Sequence, residues 1–168
     1  SVSQTMRYAQ NLYENGFITY MRTDSLNLSS LAINTIKDCI IANYGEEYLQ
    51  TRKYQTKVKG AQEAHEAIRP TFVSNETIEA TKQEQKLYDL IRKRAIASQM
   101  ATAKIEKTVV TIGNSTEKYS FIATGETVVF DGFLKLYIES TDDDTTDDNP
   151  TTLPIINIGA NAELSKIE

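Results

Sequence analysis

The hydrophobic pattern of this chain changes its period once, near residue 103, and that switch limits the folds open to it. Before it, apolar residues recur every three or four positions, as on one face of a helix. Met6, Ala9, Leu12 and Tyr13 predict a helix over residues 3–14, with Gly16 placed where a helix ends with positive φ. Ala32, Ile33, Ile36, Ile40 and Tyr44 predict a second helix from about Ser29 to Tyr44, with Ser29 or Ser30 as cap and Gly45 as stop. A third should run from near Lys82 to Met100, with Leu87, Leu90, Ile91, Arg94, Ala95 and Ser98 on one face. Residues 61–69 are also compatible with a helix, ending before Pro70, whose ring disfavours helical geometry in the residue ahead of it. Phe17 to Met21 reads as a short strand entering a turn at Thr23-Asp24-Ser25.

After Ala103 the punctuation is that of β structure. Residues 105–112, 118–123, 127–130 and 133–138 are β-prone runs separated by Gly113-Asn114, Gly125 and Asp131-Gly132, and strand-like pieces follow at 154–158 and 164–167. Between them, residues 141–150 form a polar tract with five aspartates, read as a solvated surface loop. The expected fold class is therefore α+β: a mostly helical domain over residues 1–103 followed by an antiparallel β-rich segment over 104–168.

At 168 residues, 40% of them hydrophobic and 24% charged, the chain is long and apolar enough to bury a core without covalent staples. Its single cysteine, Cys39, cannot form an internal bridge and falls among Ile36, Ile40 and Ile41 as a small apolar residue. A cytoplasmic location is the expectation, since no apolar run approaches the roughly 20 residues that span a bilayer and no leader-like segment opens the chain. Glycosylation-type triplets at Asn27, Asn75 and Asn114 carry no weight without such a leader. Starting on Ser1 rather than methionine, the chain reads as a piece of something longer. The net charge of −5 argues against holding nucleic acid by bulk electrostatics, but it is unevenly shared. Residues 1–103 carry 13 Lys and Arg against 11 Asp and Glu, or +2, while residues 104–168 carry 5 against 12, or −7.

Two stretches concentrate the side chains capable of chemistry. In Tyr20-Met21-Arg22-Thr23-Asp24-Ser25, a phenol and a guanidinium lie two residues apart; in an extended segment they would project to one face. A tyrosine titrates near 10, so it attacks well only where something stabilises the charge that develops on reaction. A guanidinium beside it and beside a phosphate suits attack on a phosphodiester. The same triplet also fits a half-buried aromatic with a snorkelling cation, and spacing alone does not choose. The second stretch, Gln62 to Pro70, holds the only histidine, His65, four residues before Arg69 and next to Glu66. On a helix that pair could meet an anion; a hydrogen-bonded structural histidine fits the same letters. Zinc is not expected, because one cysteine and one histidine cannot supply the three or four ligands a zinc site usually takes from its protein. The aspartates at 142, 143, 144, 147 and 148 offer charge without fixed geometry, so no metal site is assigned to them. The cations of residues 50–60 suit either a phosphate backbone or a solvated loop. Phosphate-binding glycine loops and a GxSxG elbow are absent.

Phe17-Ile-Thr-Tyr-Met-Arg-Thr-Asp-Ser25 and Gln62-Glu-Ala-His-Glu-Ala-Ile-Arg-Pro-Thr71, about forty residues apart and in this order, closely resemble the active-site region of bacterial type IA DNA topoisomerases. The stretch from Gln85 to Ala103 and Phe130-Asp-Gly-Phe133 resemble the family as well, so the likeness runs over most of the chain and is weakest after Glu139. The resemblance implies that Tyr20 is the nucleophile that attacks one DNA strand and holds its 5′ phosphate. It implies that Arg22 contacts the scissile phosphate, that His65 lies near the cleaved strand, that Asp24 orients that neighbourhood, and that Arg69 supports the site or contacts DNA. It further implies Mg²⁺ as cofactor, bound in the whole enzyme by a Toprim domain with no counterpart in residues 1–168, and none bound by these residues. The implied partners are single-stranded DNA and the remaining domains of a parent chain, with no membrane. Residues 1–103 would be the tyrosine domain and 104–168 part of a β-rich arch, and the piece alone would be inactive. A non-catalytic DNA-binding module, with Tyr20 merely packed, is the alternative.

Overall fold

The computed structural model describes residues 1–54, 66–114, 119–137, 153 and 156–161. His65, the acidic tract 141–150 and the strand-like piece 164–167 lie outside the described residues. The described chain is α+β: three helices, α1 (Val2–Glu14), α2 (Ser30–Tyr44) and α3 (Lys82–Ala97), and one antiparallel pair of strands, β1 (Lys104–Gly113) and β2 (Ser120–Phe130). Short 3₁₀ turns cover Glu46–Tyr48 and Gly132–Lys135. No described helix is long and apolar enough to cross a membrane. The contacts divide the chain into two compact units, residues 1–102 with 132–138, and residues 103–131 with 139–168.

In the first unit, α1 buries Ala9 and Leu12, three apart, and ends in a Schellman turn. The Gly16 amide donates to the Tyr13 carbonyl and the Phe17 amide to Leu12, both at 2.9 Å, with Gly16 at φ 74°. A glycine is needed there because a Cβ is disfavoured in the left-handed region. The turn throws the chain back along the core, where Ile18 and Met21 join Ala9, Leu12 and Tyr88 in one buried cluster, flanked by Met6, Phe17, Ile78, Leu87 and Ile91. Each fully buried aliphatic side chain there contributes about 1.5–3 kcal/mol. Helix α2 starts on Ser29, whose hydroxyl accepts from the Ala32 amide at 3.2 Å, and buries Ala32, Ile36 and Ile40.

Helix α3 is set by a capping box. The Thr81 hydroxyl accepts from the Glu84 amide, and the Glu84 carboxylate accepts from the Thr81 amide at 2.9 Å. Its buried residues are Glu84, Tyr88, Arg92, Ala95, Ile96 and Ala97, a stripe shifted from the face that the apolar spacing predicts. Leu90, assigned to that face, is exposed. Tyr88 and Arg92 explain the shift. Their polar ends are satisfied by the 72–76 loop, Tyr88 donating to Asn75 O at 2.8 Å and Arg92 Nε to Val73 O at 2.8 Å, so the ring and the stem can be buried. The helix ends at Ala97 rather than Met100. The two residues preceding Met100 are still tied to it, with Ser98 and Gln99 donating to Arg94 and Ile96.

Two further expectations fail in this unit. Residues 17–21 form no strand; a single bridge pairs Ile18 with Pro70. Residues 66–69 are not helical, because their backbone is spent on residues 19 and 27 instead of on an intrahelical ladder.

In the second unit, β1 and β2 pair from Lys104↔Phe130 to Gly113↔Ser120, with an irregularity between Lys104 and Ile105. Gly125 does not end a strand, as its turn-like character predicts, but sits inside β2 opposite Thr108. Residues 120–130 are therefore one strand where two are expected. Residues 132–135 wind into a 3₁₀ turn rather than a strand and belong to the first unit. Residues 158–159 form a turn, not a strand.

Candidate active site

Thirty-six residues separate the two motifs in sequence, and the fold lays one along the other. Besides the Ile18–Pro70 bridge, the Thr71 amide donates to Phe17 O and the Thr19 amide to Arg69 O, both at 2.9 Å. The Thr19 hydroxyl donates to Ala67 O at 2.8 Å and accepts from the Arg69 amide at 2.9 Å. Further along, the Ala67 amide donates to Asn27 O at 2.8 Å and the Glu66 carboxylate accepts from the Ser29 amide at 2.8 Å. The second motif thus follows the first from residue 17 to the cap of α2.

This fastening decides which side chains face outward. Ile18, Met21 and Ser25 are buried, whereas Tyr20, Arg22 and Asp24 are exposed. The Tyr20 residue keeps 37% of its surface, and its ring meets Tyr13 of α1 edge-on at 5.2 Å between centroids. Small hydroxyls shape the turn beyond it: Thr23 Oγ1 accepts from the Ser25 amide at 3.0 Å, and Ser25 Oγ from the Asn27 amide at 3.2 Å. Among the described residues neither Arg22 nor Asp24 has a salt-bridge partner, so no described carboxylate neutralises the Arg22 guanidinium.

Arg69 is placed differently. Its guanidinium is largely buried, paired with Glu66 and donating to Pro70 O at 2.9 Å, which makes it a fastener of the second motif. Burial alone would push the Glu66 carboxyl up, but hydrogen bonds from Ser29 and the Arg69 pair outweigh it and hold the carboxyl below its ordinary value. His65 lies outside the described residues. Arg52, the first cation of the 50–60 stretch, does not face solvent freely. It donates to Met100 O, to Gln50 Oε1 at 2.6 Å and to Thr102 Oγ1 at 2.9 Å, tying down the chain that leaves α3. Sequence reading gives Thr19 no role and notes Glu66 only as a neighbour of His65; their partners lie 48 and 37 residues away, beyond any local pattern. Among the described residues no three His, Cys, Asp or Glu side chains gather to hold a metal ion.

The model of the DNA topoisomerase family matches residues 1–168, the whole chain. The chain belongs to that family, of the type IA class. DNA topoisomerase 1 of Zymomonas mobilis is 46% identical over 165 residues, covering 95% of this chain and 14% of the relative. That of Streptomyces coelicolor is 46% identical over 160 residues, covering 89% and 17%. The solved structure of full-length topoisomerase I from Thermotoga maritima superposes with a TM-score of 0.72 at 37% identity, covering 93% of this chain and 26% of that one. The topoisomerase chain described here therefore spans about a seventh to a quarter of the length of these relatives. Its relatives are named as topoisomerases, which are isomerases acting on DNA.

Proposed function

We propose that this chain carries the nucleophile of a type IA topoisomerase that cuts and rejoins one DNA strand, and that Tyr20 is that nucleophile. The phenolic oxygen attacks the scissile phosphorus and gives up its proton, a Tyr20–phosphate bond forms, and the bond from phosphorus to the departing 3′ oxygen breaks; that oxygen takes up one proton and leaves as a 3′ hydroxyl, so no net proton is consumed. One phosphodiester replaces another, so resealing is the same exchange in reverse and needs no ATP. Passing a strand through the gap relaxes negatively supercoiled DNA. The observation that supports this reading is the exposure of Tyr20 on a segment whose flanking residues, Ile18 and Met21, are locked into the core. Rigid display of a reacting atom is what effective positioning requires.

Arg22, lacking a carboxylate partner among the described residues, stabilises charge on the phosphate oxygens. Asp24 orients that neighbourhood, and His65, bonded in sequence to the anchored Glu66, serves next to the cleaved strand. Arg69 acts by holding the second motif in place. Mg²⁺ is held by the Toprim domain of the parent chain, where it supplies charge stabilisation. The residues described here do not gather a donor set for it. Residues 1–103 are the tyrosine domain and 104–168 part of the arch, working in the cytoplasm on single-stranded segments with the parent's other domains.

In the full-length protein, Tyr20→Phe tests the reading: cleavage should vanish while oligonucleotide binding stays within about twofold. Undiminished cleavage would instead make Tyr20 a packing residue of a DNA-binding module. The 168-residue chain alone, with single-stranded oligonucleotide and Mg²⁺, should yield no covalent adduct; efficient adduct formation would contradict the assignment of the metal to another domain.

A further inference from the structure

Beside the two fastened motifs the first unit contains a cavity of about 530 Å³, inside the range of about 300–1,000 Å³ typical of small-molecule sites. It is distinct from the exposed Tyr20–Arg22–Asp24 row, none of which lines it. Its walls are mainly apolar, with Leu26, Ile68, Ala95 and Phe133 among them, and two arginines, Arg52 and Arg94, enter the lining. Among the described residues, none that lines it is acidic. The Arg52 guanidinium is spent on neutral acceptors, two backbone carbonyls, an amide oxygen and a hydroxyl. The Arg94 guanidinium lies 5.7 Å from the centre of the Tyr137 ring, which also lines the cavity. Among the described residues neither arginine has a carboxylate partner. The cavity therefore combines an apolar wall, an aromatic face and two positive charges that no described carboxylate balances.

We infer that this cavity is a binding site for a flat aromatic molecule carrying an anionic group. Such a ligand would lay its ring against Leu26, Ile68 and Phe133 and bring its anion to Arg94, the more exposed of the two arginines. A polar neutral molecule gains little from these walls, and a cation is repelled by both arginines. Two sources share the required chemistry, a nucleotide unit and a small aromatic acid. Leu26, Ala67 and Ile68 belong to the same two segments that are laced together at Thr19 and Asn27, so an occupied site would also brace the ladder beneath Tyr20.

The test is a fluorescence titration of the 168-residue chain with 8-anilinonaphthalene-1-sulfonate, an aromatic anion with a flat naphthalene ring, alongside amide hydrogen exchange. The expected result is saturable one-to-one binding with slowed exchange of the Ala67 amide. Affinity should fall at least tenfold in both Arg94→Glu and Leu26→Asp. Both residues are exposed, so the variants should keep the native circular dichroism. Arg7→Glu makes the same charge change at an exposed arginine outside the cavity and should leave affinity unaltered. Competition by deoxyadenosine monophosphate assigns the site to nucleotides, and its failure assigns it to small aromatic acids. Non-saturable binding, or equal affinity in the native chain and both cavity variants, would overturn the inference. These readouts do not involve DNA cleavage, so they stand or fall apart from the role of Tyr20.

Discussion

Thr19 and Arg69, fifty residues apart, hold each other by two reciprocal bonds: the Thr19 amide donates to the Arg69 carbonyl, and the Arg69 amide donates to the Thr19 hydroxyl, each at 2.9 Å. The residue after Thr19 is Tyr20, so this contact fixes the backbone from which the phenol projects.

Thr19→Val keeps the shape and removes the hydroxyl. It strands the Ala67 carbonyl and the Arg69 amide, at a cost of about 1–3 kcal/mol. A domain of this size should lose roughly 2–4 °C of melting temperature per kcal/mol. Thr19→Ser should recover most of the loss. Thermal unfolding followed by circular dichroism checks both.

Tyr88→Phe should destabilise the chain by about 1–2 kcal/mol, because the buried ring stays while the carbonyls of Phe72 and Asn75 lose their donor. The urea midpoint should drop with the slope of the transition unchanged.

Two carboxyls should give the protein an acid limb. Hydrogen bonds from Asn11 and Thr81 hold Glu84 below its ordinary value, and Glu66 is lowered as well, by Ser29 and Arg69 against the opposing effect of burial. A depressed folded-state value means that the unfolded chain takes up protons first as pH falls. Stability from both groups is therefore full above about pH 5, and it is lost as pH drops through the ordinary Glu value near 4.3 and on through the folded values. Urea midpoints between pH 3 and 7 should fall at the acid end in the native chain and fall less in Glu84→Gln, which keeps only the limb that Glu66 supplies.

Much of the helical half was legible because its signals are local. Ser29 and Gly45 bracket α2, Ile36 and Ile40 repeat at four, and Gly16 marks the turn after α1. The buried face of α3 was not, since Tyr88 and Arg92 look amphipathic in sequence, and their burial depends on carbonyls supplied by the 72–76 loop. Gly125 reads as a breaker, yet the β1 ladder carries it through the strand opposite Thr108. At the candidate site the letters around Tyr20 and Arg22 announced themselves, whereas the reason they are displayed did not. Thr19, Ala67 and Glu66 act across dozens of residues, and Arg69 was read as facing one side of a helix when its guanidinium is turned inward onto Glu66.

The most direct measurement maps the covalent link itself. Full-length topoisomerase containing this sequence is trapped on a single-stranded oligonucleotide labelled at its 3′ end and then digested, and the nucleotide-bearing peptide is identified by mass spectrometry. A phosphotyrosyl nucleotide is expected on Tyr20, between Thr19 and Met21. A link to any other residue, or an undiminished yield of adduct from Tyr20→Phe, would contradict that assignment.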